Sequence, residues 1–142
     1  MNATSAGIAT AATFIWFGMV LAISFMEAPL KFRAPGVTVP IGLGIGRIVF
    51  RALNRAETVL AAAVIAAVAS GGPPVSVTVP TCLATVSLAV QLLAIRPALN
   101  RRSDRVLAGE TLPRSRAHLL YVATEAVKAL TLLALGIGLL AA

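Results

Sequence analysis

Residues 96–116 read RPALNRRSDRVLAGETLPRSR, a segment with six arginines set between two apolar runs, Val75 to Ile95 and Ala117 to Ala142. A second basic segment, Lys31 to Arg55, holds five more Lys and Arg, so eleven of the twelve basic residues fall in two places. Between and outside these segments the chain carries almost no charge. Lys and Arg concentrated beside apolar helices are the usual signature of connections kept on the cytoplasmic side of a membrane.

Composition agrees. Of 142 residues, 58% are hydrophobic and 12% charged, and the mean hydropathy is +0.93, which leaves too little polar surface to coat a soluble globule. A spanning helix needs about 20 mostly apolar residues, so the length admits four spans with short connections in a single domain, residues 1–142. The expected fold is all-α, an integral membrane four-helix bundle. A net charge of +7 and a pI near 11.4 would suggest nucleic acid in a soluble protein. The clustering beside apolar runs favours the bilayer instead, and no nucleic-acid partner is expected. The single cysteine, Cys82, lies in an apolar stretch and cannot form an intramolecular disulfide.

The first apolar run, Gly7 to Met26, has no ionisable group and meets Glu27-Ala28-Pro29, where proline cannot donate the hydrogen bond that continues a helix. A cleaved signal peptide is the rival reading. Residues 1–6 lack a basic start and the apolar part is long for one, so a retained helix is expected. Lys31 to Gly46 carries Pro35, Gly36, Pro40, Gly42, Gly44 and Gly46, which predicts an irregular connection. The uncharged part of the second run, Thr58 to Ser70, is too short to span, so that helix must begin near Arg47 and cover about 36 Å at 1.5 Å per residue. Arg47, Arg51 and Arg55 then snorkel to the headgroups. The uncharged turn Gly71-Gly72-Pro73-Pro74 leads to a third run in which Pro80 marks either the helix start or a bend. The predicted helices cover about 7–28, 47–70, 75–95 and 117–141.

Both basic segments join helices 1 to 2 and 3 to 4, which predicts a multi-pass protein of the cell inner membrane with both termini outside the cytoplasm. No period of 20 to 50 residues is found. The halves share a plan of apolar helix, basic connection and apolar helix, without side-chain matches that would establish a duplication.

On the fourth helix, His118, Tyr121, Glu125 and Lys128 fall at i, i+3, i+7 and i+10, an arc of about 80°. Charges facing lipid cost about 2.5 to 3.5 kcal/mol each, so this face must point into the bundle or a wet cavity. Glu125 and Lys128 can pair at i, i+3. On the second helix Asn54 shares a face with Arg47 and Arg51, Glu57 lies on its flank, and a Glu57 to Lys128 contact is geometrically allowed. Two roles compete evenly: a structural ion pair that fixes helix packing, or a solute path lined by Glu57, Glu125, Lys128, Tyr121, His118 and Asn54. Glu27, at the end of helix 1, is placed to meet Arg47 or Arg51 and close such a path at the cytoplasmic end.

Other motifs carry less. Gly42, Gly44 and Gly46 imitate a phosphate-binding loop, but no strand leads into them, and close helix packing or a loop accounts for them better. Ala61 to Ala69 is a surface for close backbone approach, and Trp16 is expected to fill core or lipid contacts. One His and one Cys on separate helices form no recognisable ligand set, so no metal or other cofactor is expected. No serine, histidine and carboxylate cluster suggests nucleophilic catalysis.

Phe25-Met-Glu-Ala-Pro-Leu-Lys-Phe32, followed by Gly46-Arg-Ile-Val-Phe50, resembles the bacterial four-helix membrane proteins related to the transmembrane protein 205 family. There helix 1 ends in Ala-Pro-x-x-Phe and helix 2 opens with Gly-Arg. The resemblance covers about the first 60 residues, and the rest matches in hydropathy alone. It implies a four-helix inner-membrane protein, with a more distant similarity to copper-resistance membrane domains. It brings no catalytic residue. Its matching positions here are Ala28, Pro29, Phe32, Gly46 and Arg47, and Met19, Met26, Cys82 and His118 form no compact soft-ligand motif.

Two functions follow as expectations. One is permeation of a small solute or ion through a bundle that needs homo-oligomeric assembly to make room for a path. The other is a non-catalytic scaffold or accessory subunit whose arginines bind anionic lipid headgroups or an acidic partner. An enzyme acting on a lipid or quinone is disfavoured. Water around Glu57, Glu125 and Lys128 would favour passage, and a dry cluster the scaffold.

Overall fold

The computed structural model describes residues 1–113 and 115–142, and among them there is no strand. The described residues form four helices long and apolar enough to cross a membrane: α1 Ala3–Arg33, α2 Val39–Ala69, α3 Val75–Leu107 and α4 Arg116–Ala141. Met1, the turn at Gly72 and Pro74, and Ala142 line one shared hollow, so both termini lie at the same end of an up-down-up-down bundle. The basic connections lie at the other. α1 packs closely along α2 and along α4, and α3 along α4, whereas α2 and α3 meet more loosely. Three apolar layers stack along the axis, around Val64 and Leu135, around Trp16 and Leu132, and around Leu53 and Tyr121. Outward residues such as Ile48, Leu93 and Leu130 are exposed and apolar, the arrangement a lipid solvent requires.

This is the four-helix bundle that hydropathy predicts, but three of its boundaries differ. α1 does not stop at Ala28-Pro29, and α3 does not stop at Ile95 but runs through Arg96-Pro97, so the first half of the expected polar connection is helical. Both continue through the same device. Leu21–Glu27 and Gln91–Ile95 form wide turns with i to i+5 bonds, the Ala28 N–H reaching the Ile23 carbonyl and the Arg96 N–H that of Gln91. A proline ring strikes the carbonyl one regular turn back, and a widened turn just before it moves that carbonyl aside, so the helix persists.

The third difference is α2, which begins at Val39 rather than Arg47. The Thr38 hydroxyl accepts from the Ile41 N–H, and Pro40 sits in the first turn, where a missing N–H costs nothing. The glycines expected to break this segment serve as contact points. A methyl at Gly42 would strike the Phe32 ring 2.2 Å away, and one at Gly46 would meet the Lys31 ammonium at 3.1 Å, so the end of α1 lies against a backbone groove of α2. Pro80 lies inside α3, which starts at Val75. Its ring removes the donor for the Ser76 carbonyl, and that oxygen packs against Gly138 of α4, only 2.7 Å from where a side chain would begin.

The two helix pairs repeat one another at one fixed interval. Glu57 and Glu125 are 68 positions apart (125 − 57), and so are Pro29 and Pro97, Thr13 and Thr81, and Ala61 and Ala129. At the same interval Ala9 and Val77, Trp16 and Ala84, Val20 and Leu88, and Val64 and Leu132 are all buried. The interval exceeds the periods at which solenoid repeats are sought, and what recurs is mainly burial, which the many interchangeable apolar residues conceal in the sequence.

Candidate functional site

At the centre of the bundle three ionisable side chains meet out of contact with solvent: Lys128 and Glu57 are 0% exposed and Glu125 1%. Glu125 and Lys128 stand one turn apart on α4, and Glu57 comes from α2. The Lys128 ammonium donates to Gln91 Oε1 at 2.6 Å and lies at ion-pair distance from Glu57 Oε1, 2.5 Å away, and from Glu125 Oε1, 2.6 Å away.

Neutral donors hold the carboxylates. The Trp16 indole N–H donates to Glu57 Oε1 at 2.9 Å. Gln91 Nε2 donates to Glu125 Oε1 at 2.7 Å and to the Thr124 hydroxyl at 3.0 Å, while the Ser24 hydroxyl donates to Glu125 Oε2. Gln91 thus bridges Lys128 and Glu125 with both ends of its amide. Ser24 and Gln91 both come from the wide turns of α1 and α3, so the device that carries each helix past its proline also supplies the second layer of the ion cluster. Glu57 Oε2 is buried and has no hydrogen-bond partner among the described residues.

With two carboxylates to one ammonium, the cluster carries a formal charge of −1. Burying each ion costs several kcal/mol, offset only by close pairing and satisfied hydrogen bonds, and deleting one partner of such a group costs about 3 to 5 kcal/mol.

The structure brings together Glu57, Glu125 and Lys128, and realises the Glu57 to Lys128 contact. Tyr121 lies a turn away, with its hydroxyl buried and unpartnered and its ring edge-on to Phe50 at 5.4 Å. The other candidates fall elsewhere. His118 is exposed and apart from the cluster. Asn54 is buried and lines a cleft with Arg47 and Arg51. The expected closure by Glu27 with Arg47 or Arg51 is replaced by two other pairs, Glu27 with Lys31 at 3.5 Å and Arg47 with Asp104. The longer helices explain it. Extending α1 to Arg33 sets Lys31 one turn beyond Glu27, and extending α3 to Leu107 brings Asp104 to α2.

Sequence reasoning missed Trp16, Ser24 and Gln91. Gln91 left a signal, an amide within an otherwise apolar run, where uncharged polar groups commonly bond between helices. A deeply buried indole also requires an acceptor. Ser24 left none, because its orientation depends on a wide turn that nothing before Pro29 announces.

Comparison of the chain with family models, with curated proteins and with solved structures finds no match.

Proposed function

We propose that this is a multi-pass protein of the cell inner membrane, with both termini outside the cytoplasm, that acts as a non-catalytic scaffold or accessory subunit. Its arginines then face anionic headgroups or an acidic partner at the cytoplasmic surface. One observation carries this reading: the central ion cluster is buried out of contact with solvent, its lysine held against two carboxylates and an amide oxygen. Such a group sets helix register, a role attested for buried polar residues. The resemblance to relatives of the transmembrane protein 205 family fits a small bundle without catalytic residues, and its positions Phe32 and Gly46 lie in the contact between α1 and α2.

A second reading, permeation of an ion or small solute through an oligomer, draws on the excess carboxylate and on the unpartnered Glu57 Oε2. Reconstituted vesicles separate the two. The scaffold reading expects proton and small-ion flux equal to that of empty vesicles. Flux that appears with the protein and disappears in Glu125→Gln would replace it with permeation.

A further inference from the structure

The interhelical seams of the bundle differ in a way that the repeat does not require. The 68-residue interval makes the α2–α3 seam the counterpart of the α1–α4 seam, and between α2 and α3 a cleft of about 240 Å³ opens toward the arginine-bearing end. Four arginines line it, Arg47, Arg51 and Arg55 from α2 and Arg96 from α3, with Asn54 and Asn100. No carboxylate lines it. At the matching positions of the α1–α4 seam stand Ser115, Leu119, Ala123 and Ala28. The arginines are therefore particular to this seam.

We propose that the cleft between α2 and α3 binds the phosphate headgroup of an anionic phospholipid. The ionic argument rests on unmet pairing. Arg47 contacts Asp104, but Arg51, Arg55 and Arg96 have no ion-pair partner among the described residues. Arg96 lies with its guanidinium carbon 4.7 Å from the centre of the Phe50 ring and 4.6 Å from that of Tyr121. Stacking fixes the guanidinium plane, and its Nε and one Nη are buried with no acceptor. An anion in the cleft supplies the missing charge and acceptors, and guanidinium pairs with phosphate in bidentate geometry.

The choice of a lipid over soluble phosphate rests on what borders the cleft. Its inner end is closed by Thr58 and Leu92, at the depth where α2 becomes uncharged. Ile48 and Val59, within about 40° of Arg55 around α2 at about 100° per residue, and Leu93 beside Leu92 are 72%, 69% and 82% exposed. A ligand with a phosphate head and acyl chains meets both halves of this surface. Free phosphate meets one.

This inference deepens the scaffold reading and rests on it for the identity of the leaflet. The test uses the full chain in mild detergent, titrated with phosphatidylglycerol, phosphatidylcholine or inorganic phosphate and read by native mass spectrometry. Phosphatidylglycerol adducts are expected on the wild type, with Arg51→Gln/Arg55→Gln binding about thirtyfold more weakly. Arg101→Gln/Arg105→Gln, which removes the same charge outside the cleft, should bind as the wild type does. Equal weakening by both pairs, no weakening by the first, or equally effective competition by inorganic phosphate overturns the proposal. Should the first pair fail to fold, Arg96→Gln takes its place under the same criteria. Flux is measured separately, so a failure of lipid binding and a failure of the scaffold reading are distinguishable.

Discussion

The first helix pair holds its buried glutamate with an indole, whereas the second holds its own with an amide and a serine borrowed from the first, and adds a lysine one turn away. Glu57 and Glu125 occupy matching positions in repeated halves, but their surroundings are unequal: Glu125 Oε2 has a donor and Glu57 Oε2 has none. Lys128, whose counterpart is Leu60, breaks the repeat and binds both carboxylates. Two copies of one plan would bring two like charges together at the centre of the bundle. A single leucine-to-lysine difference between the copies turns that repulsion into the group that joins the halves.

The strongest way to break this comparison is to restore the symmetry. Lys128→Leu leaves two carboxylates buried without a counterion, and a loss of about 3 to 5 kcal/mol is expected, read as a shift of the unfolding midpoint in mixed micelles. Adding Glu57→Gln and Glu125→Gln to that variant should recover most of the loss. A single Lys128→Leu change with no effect on the midpoint would mean that the lysine does not join the halves.

The inequality of the two glutamates is tested next. Glu125→Gln disturbs the bonds from Ser24, Gln91 and Lys128, and hydrogen bonds to charged groups are worth about 1.5 to 3 kcal/mol each, so a loss of about 2 to 3 kcal/mol is expected. Glu57→Gln keeps an oxygen for Trp16 and Lys128 and brings the cluster to neutrality, so its effect should be under about 1 kcal/mol. Equal effects in the same unfolding assay would show that the surroundings do not distinguish the pair.

A further variant sharpens the comparison at its edge. Trp16→Phe keeps most of the ring while removing the donor to Glu57, and should cost about 1.5 to 2 kcal/mol. Joined to Glu57→Gln, the same change should cost visibly less, since the accepting oxygen is then uncharged. A full, additive loss in the double variant would assign the effect to ring packing alone.

Charge clustering and apolar run length in the sequence already determined four spans, one end for both basic connections, and a polar face on α4 directed inward. These follow from the cost of placing backbone and charge in hydrocarbon, which is paid residue by residue and needs no knowledge of neighbours. The tertiary structure decided the rest. Helices α1 and α3 pass their prolines because wide turns precede them, and the glycines before Arg47 are helical because Phe32 and Lys31 pack into them. Ser24 and Gln91 reach the ion cluster only once those turns set their direction, Trp16 reaches it because α1 packs along α2, and the arginine cleft is the space left between α2 and α3. Each of these outcomes depends on which surfaces of distant segments meet, a property of the packed chain that no local pattern encodes.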